Sequence, residues 1–194
     1  MTWFQLPKFP WSKGTELGLE TRKPEPGASS STSDKEPDVK LWTLESNLSP
    51  HFKLKELCIT THREINNFPP VIVIERLVTL ANEFLEPIRR QFGAIKVNSG
   101  YRCPELNKAI GGAKQSAHMY GCAADIDPLA VGVTTEQIVR WVRDESGLNF
   151  DQVIDEYSST ANWVHIGMLR PSFEKVPRKQ ALLFKGGKYF VFPQ

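Results

Sequence analysis

The side chains in this sequence with the clearest capacity for chemistry are two histidines and a carboxylate. His118 lies in the segment SAHMYGCAADID, and Asp125 follows it in the same segment. His165 interrupts the apolar run WVHIGM, where a polar ring is costly to bury unless it has a partner. Two neutral imidazoles and one carboxylate are a suitable ligand set for a catalytic zinc ion, which leaves its fourth position to water. Zinc makes such a water acidic enough to act as a nucleophile near neutral pH.

A long helix is the most strongly predicted of the elements that must position these residues. Pro69 and Pro70 precede the segment VIVIERLVTLANEFLEPIRRQFG, whose apolar side chains recur at helical spacing. Prolines are typical of a first helical turn, and Gly93 is typical of a helix end. The apolar face of this helix is predicted to comprise Ile74, Leu77, Val78, Ala81, Leu85 and Ile88.

Shorter elements follow along the chain. The segments AIKVNSGYR, GCAADIDPL, FDQVIDEY and WVHIGM each predict a strand, CPELNKAIGG predicts a short helix, and ALLFKGGKYFVF predicts a terminal hairpin around a Gly-Gly turn. Thr134 and Gln137 have the spacing of a capping box and predict a further helix that ends at Gly147. These elements indicate a small α+β domain over residues 41–194, with a mostly antiparallel sheet and packed helices.

The first 40 residues differ in composition from the rest of the chain. Residues 22–39 are rich in proline, serine and charge and carry almost no aliphatic side chain, which indicates a linker or an extended tail. A proline-broken aromatic patch precedes this stretch and comprises Trp3, Phe4, Phe9 and Trp11. Two interpretations stay open: a disordered tail with exposed rings, or a docking segment that holds the protein to a larger partner.

The overall composition excludes several classes of protein. In 194 residues, no apolar run approaches the roughly 18 residues that span a bilayer, which excludes an integral membrane protein. The N-terminal sequence lacks an apolar region typical of a secretory signal. A net charge of +2 is too small to predict a nucleic-acid partner. The three cysteines, Cys58, Cys103 and Cys122, have no disulfide framework spacing and indicate reduced thiols in a chain made in a cytosol.

Three separated blocks of this sequence together resemble a known family. The blocks are SGYR, then SAHMYGCAADID, and then WVHIG about 40 residues further on. In order and spacing they are similar to the M15 family of zinc peptidases, the group of D-Ala-D-Ala carboxypeptidases and phage endolysins. The resemblance runs from about Leu48 to Met168 and implies the Hedgehog/DD-peptidase fold, which is α+β.

The resemblance also implies roles for individual residues. By position, His118, Asp125 and His165 would hold a Zn²⁺ ion. Arg102 would pair with a carboxylate of a peptide substrate, a role that suits its planar fork of donors. Ser116 would contact the substrate backbone.

Simpler roles remain open for the residues around the predicted ligands. Arg102 could make only a surface salt bridge, and Ser116 could be only a turn or cap residue. Asp127 shares a strand face with Asp125 and is expected to support the site rather than bind the metal. Cys122 points away from Asp125 by the alternation of the strand and is expected to be a buried core thiol.

The general base is where the sequence departs from the pattern of the family. Many members place an acidic residue three positions before the last histidine, but this chain has Asn162 there. Phage-like members carry the acid in a preceding strand, which matches FDQVIDE here and favours Glu156. Asp155 is the alternative. Neighbouring strand residues lie on opposite faces, so only one of Glu156 and Asp155 can point toward the metal. If neither reaches the metal, the protein would be a pseudo-enzyme.

These inferences predict a zinc metallopeptidase that hydrolyses the stem peptides of peptidoglycan, at D-Ala-D-Ala or L-Ala–D-Glu bonds. The missing signal sequence favours a phage protein that is located in the host cytoplasm before lysis, or is associated with the virion. The main alternative is a structural virion component that uses the same fold, with residues 1–40 as its anchor and catalysis secondary or lost. A binding module that only holds the metal is a third, weaker hypothesis.

Overall fold

The computed structural model describes residues 41–170 and 175–194 of the chain. Residues from Lys40 to Gln194 belong to one compact unit, and every predicted site residue lies within it. The predicted tail, residues 1–40, lies outside the described residues. The tail and docking interpretations therefore stay predictions.

The predicted long helix consists of two α-helices joined by a π-helical turn. Helix α2 spans Val71–Leu80, the π turn spans Ala81–Leu85, and helix α3 spans Glu86–Phe92. Pro87 follows the π turn and has no amide hydrogen, so the α-helical hydrogen-bond ladder cannot run unbroken through this point. The helix ends at Gly93, whose φ of 84° is readily adopted only by glycine.

The apolar face of this helix lies against the core as predicted. All the predicted face residues are buried except Val78, which is partly buried and packs on the same cluster. A short helix, α1 (Leu54–Leu57), precedes it and inserts two fully buried leucines into that core. No sequence pattern predicted α1, because four residues are too few to show helical periodicity.

Six strands form one sheet, in the spatial order β1-β2-β4-β3-β5-β6. The strands are β1 (Ile95–Ser99), β2 (Ala123–Pro128), β3 (Phe150–Tyr157), β4 (Asn162–Met168), β5 (Gln180–Lys185) and β6 (Lys188–Val191). All neighbouring strands are antiparallel except β3 and β5, which are parallel. The α+β class and the mostly antiparallel sheet are thus confirmed, and β5 with β6 forms the predicted terminal hairpin.

Two further helices flank the sheet. Helix α4 spans Pro104–Ala109, and helix α5 spans Thr135–Asp144. The capping box at the start of α5 is present: the Gln137 amide donates to Thr134 Oγ1 at 3.2 Å, and the Thr134 amide donates to Gln137 Oε1 at 2.9 Å. The helix ends three residues before the predicted Gly147. Nowhere in the described ranges is a helix long and apolar enough to cross a bilayer.

The two faces of the sheet have different surroundings. Val153 of β3, Val164 of β4 and Ile126 of β2 belong to one face, which is packed in the hydrophobic core. Alternation places the side chains of Asp125 and His165 on the opposite face. This second face carries the candidate site.

Candidate metal centre

Strand register brings two of the predicted ligands together. In the antiparallel pair β2–β4, Asp125 lies directly opposite His165. Side chains directly opposite each other in such a pair share a face and lie within contact distance. His165 Nδ1 is 2.9 Å from Asp125 Oδ1.

The third ligand comes from a short 3-10 helix, Ala117–Tyr120, which immediately precedes β2. Gly121 turns the chain from this helix into the strand with a φ of 69°, in the left-handed region. A Cβ atom added at Gly121 would lie 2.8 Å from Val73 Cγ1, so the turn also packs tightly on helix α2. This close packing holds His118 beside the β2–β4 pair.

The three ligand atoms form a nearly equilateral triangle. His118 Nε2 is 3.2 Å from His165 Nδ1 and 3.3 Å from Asp125 Oδ1, and the third side is the 2.9 Å contact described above. In a tetrahedral site with metal–ligand bonds of about 2.0 Å, two ligand atoms are separated by about 3.3 Å. The geometry and the donor set of this triangle therefore fit a zinc ion, and the three residues could hold a metal.

His118 is oriented by a backbone contact. Its ring is buried, and Nδ1 lies 2.7 Å from the Gly100 carbonyl oxygen, to which an Nδ1–H donates. This bond fixes the tautomer that presents the Nε2 lone pair to the other two ligands, as is common for histidines that bind metals. Burial lowers the pKa of His118, which favours the neutral ring that a metal requires.

Asp125 is the charged member of the triangle. Burial opposes ionisation of this carboxyl, but His118 and His165 hold its pKa well below the ordinary value. Arg102 Nη2 also donates to Asp125 Oδ2 at 2.5 Å, and Arg102 Nε donates to Ser99 Oγ at 2.7 Å. Arg102 is mostly buried, so its ion pair is not a surface salt bridge.

The two candidate bases lie on opposite faces of β3. Ile154 is opposite His165 in the β3–β4 pair, and Glu156, two residues further along, shares its face. Asp155 points to the other face, is only 2% exposed, and accepts a hydrogen bond from Tyr157 Oη at 3.2 Å. Asn162 also points to that other face, because its Nδ2 donates to Thr135 Oγ1 of α5 at 2.7 Å.

All six residues predicted for the site line a single pocket of about 420 Å³. They are Arg102, Ser116, His118, Asp125, Glu156 and His165. Burial raises the pKa of the Glu156 carboxyl above its ordinary value, with His165 acting in the opposite direction and Asp125 in the same direction. A carboxyl beside a metal site whose pKa is raised in this way is suited to accept and return a proton.

Three neighbours of the ligands lie outside the ligand triangle. Ser116 precedes the 3-10 helix, and its carbonyl accepts the Met119 amide at 3.1 Å while the residue lines the pocket. Asp127 lies opposite Lys96 of β1 and is not part of the ligand triangle. Cys122 is fully buried in the hydrophobic core, as expected.

Among the further residues that line the pocket, the sequence did not reveal Gln152, Arg170, Arg178 or Tyr189 as site residues. Arg178 and Tyr189 reach the pocket because β5 pairs with β3 in parallel, which carries the terminal hairpin to this side of the sheet. The only signal in the sequence was a concentration of basic residues near the C terminus. Basic residues there are equally typical of a solvated surface.

Comparison with known proteins agrees with this geometry. A search of curated proteins gives no match to the chain. The sequence profile described as Peptidase M15 matches residues 50–167, which is more than half of the chain and contains the ligand triangle, Arg102 and Glu156. The chain therefore belongs to the peptidase M15 family.

Proposed function

We propose that this protein is a zinc-dependent peptidase that hydrolyses the stem peptides of peptidoglycan, as a D-Ala-D-Ala carboxypeptidase or as an L-Ala–D-Glu endopeptidase. We also propose that it is phage-encoded and acts in lysis or penetration of the cell wall. Membership of the M15 family supports a peptidase. The observation that carries the proposal is the triangle of His118, Asp125 and His165, which lies in one pocket with Glu156.

His118, Asp125 and His165 would hold the ion through Nε2, Oδ1 and Nδ1. When bound, zinc supplies Lewis-acid chemistry: it polarises a carbonyl group and makes water acidic enough to lose a proton near neutral pH. The protein contributes the fixed orientation of the ligands, through the Gly100 carbonyl behind His118 and the Arg102 guanidinium behind Asp125. Such outer contacts hold the ligand rings and carboxylates in place.

Glu156 is proposed as the general base and then the general acid. Its ionised carboxylate accepts a proton from the attacking water and returns that proton to the leaving amine. The burial that raises its pKa makes the carboxylate a stronger proton acceptor than an exposed one, which favours the first transfer. Asp155, on the other face of β3, is enclosed by the core and does not line the pocket.

Arg102 and Ser116 are proposed to position the peptide. Both residues line the pocket beside the ligand triangle. A guanidinium has five N–H donors, so Arg102 can keep its contacts to Asp125 and Ser99 and still donate to a substrate carboxylate. The Ser116 hydroxyl can donate to, or accept from, the peptide backbone. Together they would hold the scissile bond over the metal site.

Mass spectrometry of purified muropeptides incubated with the protein tests this proposal. We expect cleavage that a chelator abolishes and added zinc restores. Loss of one terminal alanine would identify a carboxypeptidase, and separation of L-alanine from the rest of the stem would identify an endopeptidase. Glu156→Gln should be inactive, whereas the matched control Glu136→Gln, an exposed residue of α5, should cleave as the wild type does.

The structural alternative is an outcome of the same experiment. If no muropeptide is cleaved with any divalent metal, the peptidase proposal is wrong and the virion-component hypothesis gains weight. Its predicted anchor, residues 1–40, lies outside the described residues, so the structure offers no separate support for it.

A further inference from the structure

A tryptophan lies directly across from the proposed base. In the antiparallel pair of β3 and β4, Trp163 is directly opposite Glu156. Residues paired in this way have side chains on the same face, with Cβ atoms about 4.5–5.5 Å apart. Both side chains line the pocket, and His165 lies two residues further along β4 on the same face. Trp163 is therefore a neighbour both of Glu156 and of a metal ligand.

The neighbour of Glu156 on its other side offers no hydrogen-bond donor. In the parallel pair of β3 and β5, Phe184 is level with Glu156. The ring of Phe184 packs against that of Tyr189, with the two centroids 4.6 Å apart. A phenyl ring can pack against the methylene groups of a glutamate, but only the indole N–H of a tryptophan can donate to its carboxylate. Of the two cross-strand neighbours, Trp163 is thus the one suited to bind the carboxylate.

The indole N–H of Trp163 lacks a regular acceptor. Its Nε1 atom is out of reach of solvent and makes no regular hydrogen bond with any described residue. A buried donor without an acceptor is costly and rare in folded proteins, so it calls for an explanation. Because water and substrate do not reach a fully buried atom, the acceptor is to be sought among the neighbouring groups of the protein.

Two carboxylates are candidate acceptors for this N–H. One is Glu156, and the other is Asp127, which shares the pocket face of β2 and whose Oδ1 is also buried without a partner among the described residues. Strand register favours Glu156, which is directly opposite. Burial raises the pKa of Glu156, and hydrogen bonding with Trp163 is among the weaker influences that lower it. The contact is therefore close but poorly aligned, as is common for catalytic hydrogen bonds before substrate binds.

We propose that the Trp163 indole N–H holds one oxygen of the Glu156 carboxylate and thereby orients the other oxygen toward the metal site. The inference rests on the proposed peptidase function and adds a positioning residue to it. A free glutamate side chain has several rotamers, and fixing it costs entropy. A carboxylate has two accepting oxygens, so one can accept from the indole while the other accepts a proton. A rigid aromatic donor on the neighbouring strand would hold the base in its productive orientation.

Nuclear magnetic resonance of the indole N–H groups tests this contact without reference to activity. The zinc-loaded protein is isotope-labelled, and the Trp163 resonance is assigned by triple-resonance experiments. A hydrogen bond to a charged carboxylate is shorter and stronger than one to a neutral amide, so Glu156→Gln should move the Trp163 indole proton upfield. The matched variant Asp127→Asn should leave this resonance at its wild-type position.

The substitution Trp163→Phe tests the role in catalysis, because it keeps an aromatic ring and removes the N–H. We expect kcat with a stem peptide to fall about tenfold, the effect of one lost hydrogen bond to a charged group. KM should stay within about twofold of the wild-type value, and zinc content should be unchanged. The control is Trp141→Phe in α5, whose ring packs edge-on against Phe92 and does not line the pocket. This control should cleave as the wild type does.

A double variant separates positioning from packing. If Trp163 acts through Glu156, adding Trp163→Phe to the Glu156→Gln protein should change the residual kcat by less than about twofold. A tryptophan that only shapes the pocket would instead multiply the two losses. If Trp163→Phe fails to fold, the indole resonance in Glu156→Gln still tests the contact.

The outcomes distinguish this inference from the proposed function. A Trp163 resonance that responds to Asp127→Asn and not to Glu156→Gln would overturn the inference, and so would multiplied losses in the double variant. Cleavage by the wild type together with an unresponsive resonance would refute the role of Trp163 and leave the peptidase proposal intact. If no form cleaves a muropeptide but the resonance responds to Glu156→Gln alone, the contact stands and the peptidase proposal fails.

Discussion

Two neighbouring carboxylates of β3 have opposite environments. Glu156 lies in the pocket with the metal ligands, whereas Asp155 lies on the reverse face of the sheet against the core. Burial raises the pKa of both groups. The charged neighbours of Glu156 are His165, Asp125 and Arg102, which all belong to the pocket. Asp155 instead has side-chain hydrogen bonds with Thr135 and with Tyr157, whose Oη donates to Oδ2 at 3.2 Å.

This comparison shows that a raised pKa does not by itself identify a catalytic acid. Asp155 Oδ1 has no hydrogen-bond partner among the described residues and is out of reach of solvent. Its pKa is raised first by the cost of burying a charge and then by the nearby negative charge of Glu136, and neither cause involves a catalytic group. The pKa of Glu156 is shifted in the same direction, but this carboxyl lies beside the metal-ligand candidates of the pocket. Position on the pleat therefore determines which carboxylate can act.

The largest expected effect is the loss of activity and of bound zinc when a metal ligand on the pocket face of the sheet is removed. His118→Ala should lose both peptidase activity and zinc, because the two remaining protein ligands are too few to hold the ion. Activity and zinc content per chain, by atomic emission, check this. The control is His62→Ala, whose ring hydrogen-bonds to Glu64 at 3.0 Å and does not line the pocket. Full zinc content in His118→Ala would contradict the assignment.

The second effect compares the two carboxylates directly. Glu156→Gln should lower kcat by about 10²–10⁴-fold while zinc content is unchanged, since only proton transfer is lost. Asp155→Asn should leave kcat at the wild-type value, because its side chain faces the core. Steady-state kinetics with a stem peptide measure both. The opposite pattern would make Asp155 the base.

The third effect is on pH dependence. Glu156 accepts a proton only when it is ionised, and burial raises its pKa above the ordinary 4.5. We therefore expect kcat/KM to fall on the acidic side with a midpoint above 4.5, as measured in zinc-saturating buffers. Circular dichroism at each pH separates this effect from unfolding. A midpoint at or below 4.5 would show that the acidic limb belongs to another group.

The smallest effect concerns stability on the core face. The pKa of Asp155 is raised in the folded state, so its contribution to stability is full below the ordinary value of 3.8 and is lost as the pH rises through the folded value. Asp155→Asn should therefore gain in Tm relative to the wild type between pH 4 and pH 8. For a chain of this size, a change of about 1 kcal/mol in the free energy of unfolding shifts Tm by about 2–4 °C.

Asp151→Asn should change Tm in the opposite direction when both variants are compared with the wild type by differential scanning calorimetry. The pKa of Asp151 is lowered by Arg178, so its stabilisation is present above the ordinary value of 3.8 and is lost as the pH falls through the folded value. The Tm of this variant should be lower than that of the wild type at pH 8, and the difference between the two Tm values should be smaller at acidic pH. A gain at pH 8 would contradict the ion pair.

The parts of the structure that depend on local pattern could be predicted from the sequence. The spacing of apolar residues gave the helix from Val71 to Phe92, and two polar residues at the correct interval gave the cap of α5. Alternation along FDQVIDE correctly separated Glu156 from Asp155, although it could not tell which face carries the pocket. His165 stood out because a polar group within an apolar strand requires a partner, and His118 and Asp125 joined it as residue types that bind zinc and through the resemblance to the family.

The parts that depend on pairing between distant segments could not be predicted. Nothing local in ALLFKGGKYFVF indicates that β5 pairs in parallel with β3, and this pairing brings Arg178 and Tyr189 to the pocket. The bond from Arg102 to Asp125 joins residues 23 positions apart and appears only when β1 and β2 are aligned. The π turn before Pro87 depends on which carbonyls remain free in the folded helix.

The direct opposition of Asp125 and His165 has a consequence for how the chain acquires its fold. His118 and His165 are 47 positions apart, so an unfolded chain does not hold the three ligands together. A slip of β4 by one residue against β2 would turn His165 into the core. An ion that binds only the native arrangement adds stability to it alone, about 2.7 kcal/mol at a hundredfold excess over its Kd. Metal binding would therefore stabilise the native register of β2 and β4 over any shifted register, in addition to its role in catalysis.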